Sequence, residues 1–339
     1  MPMGKPKVYV TRQIVPPWLD YLKETCDVEL NPSEDAPPRK VLLEKVRDKD
    51  ALLCMLTDRI DAELLDAAPN LVVIGTHSVG FEHIDVAEAT RRGIYLTYTP
   101  GVLTDATADF TWALILASAR RLAEGDRYIR AGKWKVGWAP TMFLGAKVSG
   151  RTLGIVGLGR IGQAVAKRAK GFDMRILYYD VIRARPEVEK EVGATFVSLE
   201  QLLRESDFVS LHVPVTKETF HMINEKTLRM MKPTAFLINT SRGAVVDEKA
   251  LAKAIEEKWI AGAGLDVFEK EPLPMDSPLL KFENVTLAPH IASADIDARS
   301  KMSELVVKDI IAVLKGEMPK ALINPEVQKV RPLSQVKRL

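Results

Sequence analysis

Two rhythms of apolar and polar positions alternate along most of this chain. Short apolar runs at Lys7–Val10, Ala51–Leu56 and Leu71–Gly75 read as buried strands, and Pro17–Thr25 and Ala62–Ala67 between them read as helices. Strand and helix in turn are the βαβ pattern of a doubly wound α/β sheet. Asp105–Arg121 follows as a long apolar helix with Thr104 as its N-cap. A second series begins after Gly150, with strands at Thr152–Val156, Arg175–Tyr179, Phe208–His212, Ala235–Asn239, Gly262–Asp266 and Thr286–Ala288. Six strands suit one complete Rossmann sheet. A last helix, about Ile296–Leu314, precedes a tail that reads as a loose end.

The stretch after His290 is too short for a third domain. It is expected to return to the first sheet and make that domain discontinuous. The predicted organisation is therefore two doubly wound domains. Residues 1–100 with 292–339 form a flavodoxin-like substrate domain, and residues 101–291 form a Rossmann dinucleotide-binding domain. The cleft between them is the expected site.

Composition narrows the class. The 339 residues carry a net charge of only +3, with basic and acidic side chains interleaved, so neither a nucleic-acid nor a membrane footprint is expected. Apolar runs such as Trp112–Ala119 are too short to span a bilayer, and the start of the chain has no signal-peptide core. Cys26 and Cys54 form neither a disulfide framework nor a metal-ligand spacing. The reading is a cytoplasmic enzyme with no metal.

Gly157-Leu158-Gly159-Arg160-Ile161-Gly162 is a G-x-G-x-x-G between an apolar strand and a helical stretch, and Asp180 ends the next strand 18 positions after Gly162. Each part has a task in holding a dinucleotide. Gly157 makes the turn, Gly159 admits the pyrophosphate to the backbone, and Gly162 lets helix pack on strand. The helix N-terminus then faces the anion. A carboxylate at Asp180 accepts from the ribose hydroxyls and repels a 2′-phosphate, which favours NADH and leaves NADPH possible. Arg183 and Arg185 close by could instead hold that phosphate.

Three later segments, Asn239–Gly243, Gly264–Pro272 and Ala288–His290, each follow the carboxyl end of a predicted strand. They carry Arg242, Glu271 and His290. An arginine can grip a carboxylate with a planar fork, and its charge is permanent. An imidazole can give or take a proton near neutral pH, and a carboxylate beside it favours the protonated form. His212 also ends a strand and reads as a wall residue.

These segments resemble the D-isomer-specific 2-hydroxyacid dehydrogenases, as do Ile60–Leu65, the loop Ser78–Asp85 and Val246-Asp247-Glu248. The resemblance runs from Ala51 to Asn324 and is closest to archaeal glyoxylate/hydroxypyruvate reductases. It implies Arg242, Glu271 and His290 as the catalytic trio. It also implies cofactor contacts from Thr104, Leu158, Gly159, Arg160, Ile161, Asp180, Pro214, Thr240, Asp266 and His290, with Asp266 beside the nicotinamide carboxamide. Backbone N–H groups of Val79 and Gly80 would share the substrate carboxylate with Arg242. The implied activity is reduction of glyoxylate, and of hydroxypyruvate, by a homodimer using a nicotinamide cofactor. The alternatives are another D-2-hydroxyacid or phosphite dehydrogenase on the same scaffold, or a dinucleotide-sensing binding protein. One departure concerns Trp138-Ala139-Pro140-Thr141-Met142, where similar reductases often carry a second tryptophan at the position of Met142.

Overall fold

Val8, Val10, Leu52 and Leu53 have no exposed surface, and the strands that carry them lie side by side in a parallel sheet. The computed structural model describes residues 4–339. They fall into two units, one ending at Leu103 and resumed at Asp295–Leu339, the other Thr104–Ala294.

In the first unit the strands are β1 (Lys7–Val10), β2 (Asp27–Leu30), β3 (Ala51–Cys54), β4 (Val73–Thr76) and β5 (Tyr95–Thr97), in the order β2-β1-β3-β4-β5 and all parallel. That is a flavodoxin-like order. β2 and β5 escape the hydrophobic pattern for separate reasons. β2 is an edge strand reading Asp-Val-Glu-Leu with no fully buried residue, and β5 has only three residues. Helix Ile296–Leu314 starts where the sequence places it, with the Asp295 carboxylate accepting from the Ala298 N–H. Its Val306, Val307, Ile310, Val313 and Leu314 form a buried stripe at helical spacing. Gly75 in β4 lets that stripe approach, because a Cβ there would lie 2.7 Å from Val306 and 2.8 Å from Ile310.

The tail corrects the sequence reading. It is not loose: Val327 and Val336 are fully buried, the Tyr95 hydroxyl donates to the Arg331 carbonyl at 2.7 Å, and the Arg338 N–H donates to the Leu314 carbonyl at 2.7 Å. Apolar residues spaced nine apart show no periodicity, so only the packed chain reveals them.

The second unit holds β6 (Thr152–Val156), β7 (Arg175–Tyr179), β8 (Ala194–Phe196), β9 (Phe208–Leu211), β10 (Phe236–Asn239), β11 (Gly262–Leu265) and β12 (Val285–Leu287). Their order is β12-β11-β10-β9-β6-β7-β8, a Rossmann sheet with one strand beyond the six expected. β8 is a three-residue edge strand after Gly193 and has no pattern of its own. Strand order reverses between β6 and β9, which opens a crevice at their carboxyl ends. The long apolar helix spans Thr104–Ala119, so Thr104 belongs to its first turn and does not precede it as a cap. It stops at Ala119 because Arg121 turns left-handed, at φ 55°. Gly264 in β11 lets this helix sit close, since a Cβ would meet the Ser118 hydroxyl at 2.8 Å. Among the described residues no helix is long and apolar enough to cross a membrane.

Candidate active site

Strand register sets the site. Asn239 on β10 pairs with Leu265 on β11, and Leu265 pairs with Leu287 on β12. The three strands therefore end level, and the loops that leave them begin at one edge. Arg242, Asp266, Glu271 and His290 all lie on those loops.

The loop after β10 is folded by Asn239. Its buried side-chain carbonyl accepts from the Ser241 N–H at 3.0 Å and the Ser241 hydroxyl at 2.8 Å, and its amide donates to the Arg242 carbonyl at 2.9 Å. This is an Asx-type turn, and it fixes the backbone that presents Arg242. Thr240 points inward instead, 2.8 Å from the Thr111 hydroxyl, which itself donates to the Thr107 carbonyl.

His290 Nδ1 lies 2.6 Å from Glu271 Oε2, and both side chains are about one-quarter exposed, at 28% and 27%. The other Glu271 oxygen accepts from the Phe268 N–H at 3.0 Å. Burial raises the Glu271 carboxyl, but the hydrogen bond and charge of His290, the Phe268 N–H and the charge of Arg242 together outweigh it and hold the group below its ordinary value. The Glu271 carboxylate thus feels both the imidazole and the guanidinium.

Asp266 is fully buried beneath them. Its carboxylate accepts from the Ile291 N–H and the Ala292 N–H, both at 2.8 Å, and its carbonyl accepts from the His290 N–H at 2.8 Å. Burial raises this carboxyl above its ordinary value, and the two N–H donors work in the opposite direction.

The other histidines are differently placed. Burial pushes His212 down to about 3, with its Nε2 2.9 Å from the Ser210 hydroxyl. Burial and the nearby Arg299 push His77 down to about 4, where it meets the Ser303 hydroxyl at 3.0 Å. Both stay neutral at neutral pH. His83 contacts the Thr76 hydroxyl at 3.1 Å, and His221 stacks on Phe220.

The glycine loop fits a dinucleotide. Gly157 is left-handed at φ 94°, and a Cβ on Gly162 would sit 2.2 Å from the Gly157 carbonyl. A Cβ on Gly159 would meet nothing, so that side of the loop is open. Gly159 caps helix Arg160–Ala169 without any side-chain acceptor, which leaves the first-turn N–H groups available to an anion. Arg160 is exposed, Ile161 half-buried and Leu158 buried. The Leu158 N–H donates to Asp180 Oδ2 at 2.8 Å, which ties the acid to the loop. Arg183 is turned away into an ion pair with Glu189 at 2.8 Å. Exposed Pro214 follows β9, and its carbonyl accepts from the Thr219 hydroxyl. In the other unit, Val79 and Gly80 are half-buried, on a loop held by the Ser78 hydroxyl, which donates to the Gly80 carbonyl at 2.7 Å.

Residues 112–292 match the family described as D-isomer specific 2-hydroxyacid dehydrogenase, NAD binding domain. The chain belongs to that family. It is 61% identical over 339 residues to a glyoxylate reductase of Thermofilum pendens, covering 99% of this chain and 100% of that one. Among solved structures it is similar to an NADPH-dependent glyoxylate/hydroxypyruvate reductase of Sinorhizobium meliloti in complex with NADP and malonate, at 33% identity and a TM-score of 0.83, covering 96% of this chain and 98% of the other. It is also similar to a D-lactate dehydrogenase of Aquifex aeolicus complexed with NAD and lactic acid, at 32% identity and a TM-score of 0.82, covering 94% and 98%. This family member is a dehydrogenase that works with a nicotinamide cofactor.

Asn239 was missed as a functional residue by the sequence reading. The signal was present: an Asx residue at a strand end, two and three positions before a serine and the candidate arginine, is a turn former.

Proposed function

We propose that this dehydrogenase reduces glyoxylate, and hydroxypyruvate with it, and that NADH is its preferred cofactor. The observation that carries the reading is the 2.6 Å contact between His290 and Glu271 in the electrostatic reach of Arg242. In this reading Arg242 grips the substrate carboxylate, assisted by backbone N–H groups at Val79 and Gly80. His290 donates its proton to the C2 oxygen, and Glu271 orients the ring and favours its protonated form. When bound, the reduced nicotinamide supplies the hydride to C2. Thr104, Leu158, Gly159, Arg160, Ile161, Asp180, Pro214, Thr240 and Asp266 are the residues proposed to hold that cofactor. The pairing of Arg183 with Glu189 supports the preference for NADH, since it occupies one of the cations able to neutralise a 2′-phosphate.

The glyoxylate assignment follows the name of the Thermofilum relative, which is similar over its whole length. Helix Leu122–Arg130 buries none of its residues, and Leu122, Ile129, Trp134, Val136 and Trp138 leave more than half of their surface exposed. Exposed apolar side chains in that number within one stretch of the chain support assembly with a second copy of the chain. Activity of the purified protein with NADH and NADPH against glyoxylate, hydroxypyruvate, pyruvate and phosphite tests the reading. Turnover confined to phosphite, or no turnover at all, would overturn it.

A further inference from the structure

The loop that carries Glu271 is tied to the start of another helix by a reciprocal pair of hydrogen bonds. The Glu269 N–H donates to Glu248 Oε1 at 2.6 Å, and the Glu248 N–H donates to Glu269 Oε1 at 2.8 Å. Glu248 is the first residue of helix Glu248–Glu256, whose own cap is Asp247, so its side chain is not needed to cap that helix. Burial, with the neighbouring Glu269 and Glu271 charges, raises the Glu248 carboxyl above its ordinary value, while the Glu269 N–H works the other way. A half-buried acid kept among other acids is costly unless it is hydrogen-bonded, and here the Glu269 N–H supplies that bond.

A second contact grips the same backbone. A Cβ on Gly243, the residue after Arg242, would lie 1.8 Å from the Phe268 carbonyl carbon and 2.4 Å from the Glu269 nitrogen. The Arg242 turn and the Glu271 loop are thus pressed together at Phe268 and Glu269. Phe268 in turn donates its N–H to Glu271 Oε1, while Glu271 Oε2 faces His290. Glu248 is thus linked by hydrogen bonds to Glu269, which is joined by one peptide bond to Phe268, and Phe268 is linked by hydrogen bonds through Glu271 to His290.

We infer that Glu248 is a positioning residue for the reductase chemistry: its carboxylate anchors the Glu269 backbone and so sets the angle at which Glu271 meets His290. This rests on the catalytic roles proposed above. The titratable and charged groups that act on Glu271 are His290 and Asp266 on the loops after β12 and β11, Arg242 on the loop after β10 and Glu248 on its helix, while Glu269 acts on Glu248. His221 approaches Glu269 at 3.3 Å from the remaining side, and Lys270 is exposed.

Glu248→Ala and Glu248→Gln in the full chain test it. A glutamine carbonyl still accepts from the Glu269 N–H, whereas alanine removes the acceptor. The alanine variant is expected to lose roughly tenfold in kcat, with cofactor KM little changed, because misplacing a catalytic group by a fraction of an ångström is costly. The glutamine variant is expected to restore most of that loss. Both variants remove the Glu248 charge, whose repulsion raises Glu271, so the glutamine variant is the reference. Relative to it, the weaker contact with His290 in Glu248→Ala lets the Glu271 carboxyl rise and moves the acid limb of kcat/KM up by about half a pH unit. A carboxyl-carbon NMR titration of Glu271, assigned with Glu271→Gln, reads the same displacement without turnover. An enzyme inert towards glyoxylate would sink the proposed function, and the titration alone would then decide the anchor. A Glu271 titration in Glu248→Ala that coincides with the one in Glu248→Gln overturns the inference, as does a glutamine variant as slow as the alanine one.

Discussion

Asp266 holds His290 in place from below: its carbonyl accepts from the His290 N–H, and its carboxylate takes the N–H groups of the next two residues. His290 is left-handed, at φ 54°, a conformation that is uncommon for a residue with a β-carbon. Such backbone persists where its surroundings over-determine it, and three hydrogen bonds to one buried acid do that. Asp266→Asn keeps one acceptor and turns an NH2 group towards the second N–H. The expected result is a loss of about 1–3 kcal/mol in stability and a fall in kcat of one to two orders of magnitude, roughly what a misplaced acid costs. Thermal unfolding and steady-state kinetics check it.

His290→Asn should lower kcat by roughly 10²–10⁴-fold while the cofactor still binds. Retention of more than half of the wild-type kcat would remove His290 from the mechanism.

The pH profile separates the two members of the pair. Glu271 lies below its ordinary value of 4.5 because His290 and Arg242 favour its charge. A carboxylate depressed in this way stays ionised as the pH falls through the usual carboxylate range. The contact with His290 then persists to more acid pH and is lost only below the depressed value. Glu271→Gln should therefore do least harm at low pH, where the solution itself keeps the imidazole protonated, and most harm as the pH rises. A wild-type profile in the variant would rule out the orienting role.

Arg242→Lys should damage kcat/KM nearly as much as Arg242→Ala, because an ammonium cannot reproduce the planar fork. Asn239→Ala should resemble a mild form of either, since it removes the turn that presents the arginine. Full activity with lysine would show that the site needs only a point charge.

Asp180→Ser should shift kcat/KM towards NADPH by at least about tenfold, equivalent to about 1.4 kcal/mol. The acid already accepts from the Leu158 N–H, so its removal also loosens the glycine loop, and some loss with both cofactors is expected. Freeing Arg183 by Glu189→Gln should add to the shift, because the ion pair now holds that cation away. An unmoved ratio in Asp180→Ser would mean that another group selects the cofactor.

Much of this was legible along the chain. The apolar runs of β1, β6, β7 and β10 are dense enough to be seen without neighbours, and Asp295 before helix Ile296–Leu314 marks its start. The edge strands β2 and β8 and the packed tail were not legible. Their stability comes from partners distant in sequence, such as Lys7 against Asp27 and Tyr95 against Arg331.

By itself, the sequence of residues determined the two strand series, the dinucleotide loop and the presence of an arginine, a glutamate and a histidine after strand ends. Each of these is written in local terms, as a period, a glycine spacing or a residue type beside an apolar run. Tertiary structure decided which side chains meet. Strand register brings three loops to one edge, and only then does Asp266 reach Ile291 and Ala292 across 25 and 26 positions, Glu271 reach His290 across 19, and Glu248 reach Glu269 across 21. A hydrogen bond depends on distance and direction at the scale of tenths of an ångström. Neither is contained in the spacing of residues along a chain until packing has set the backbone.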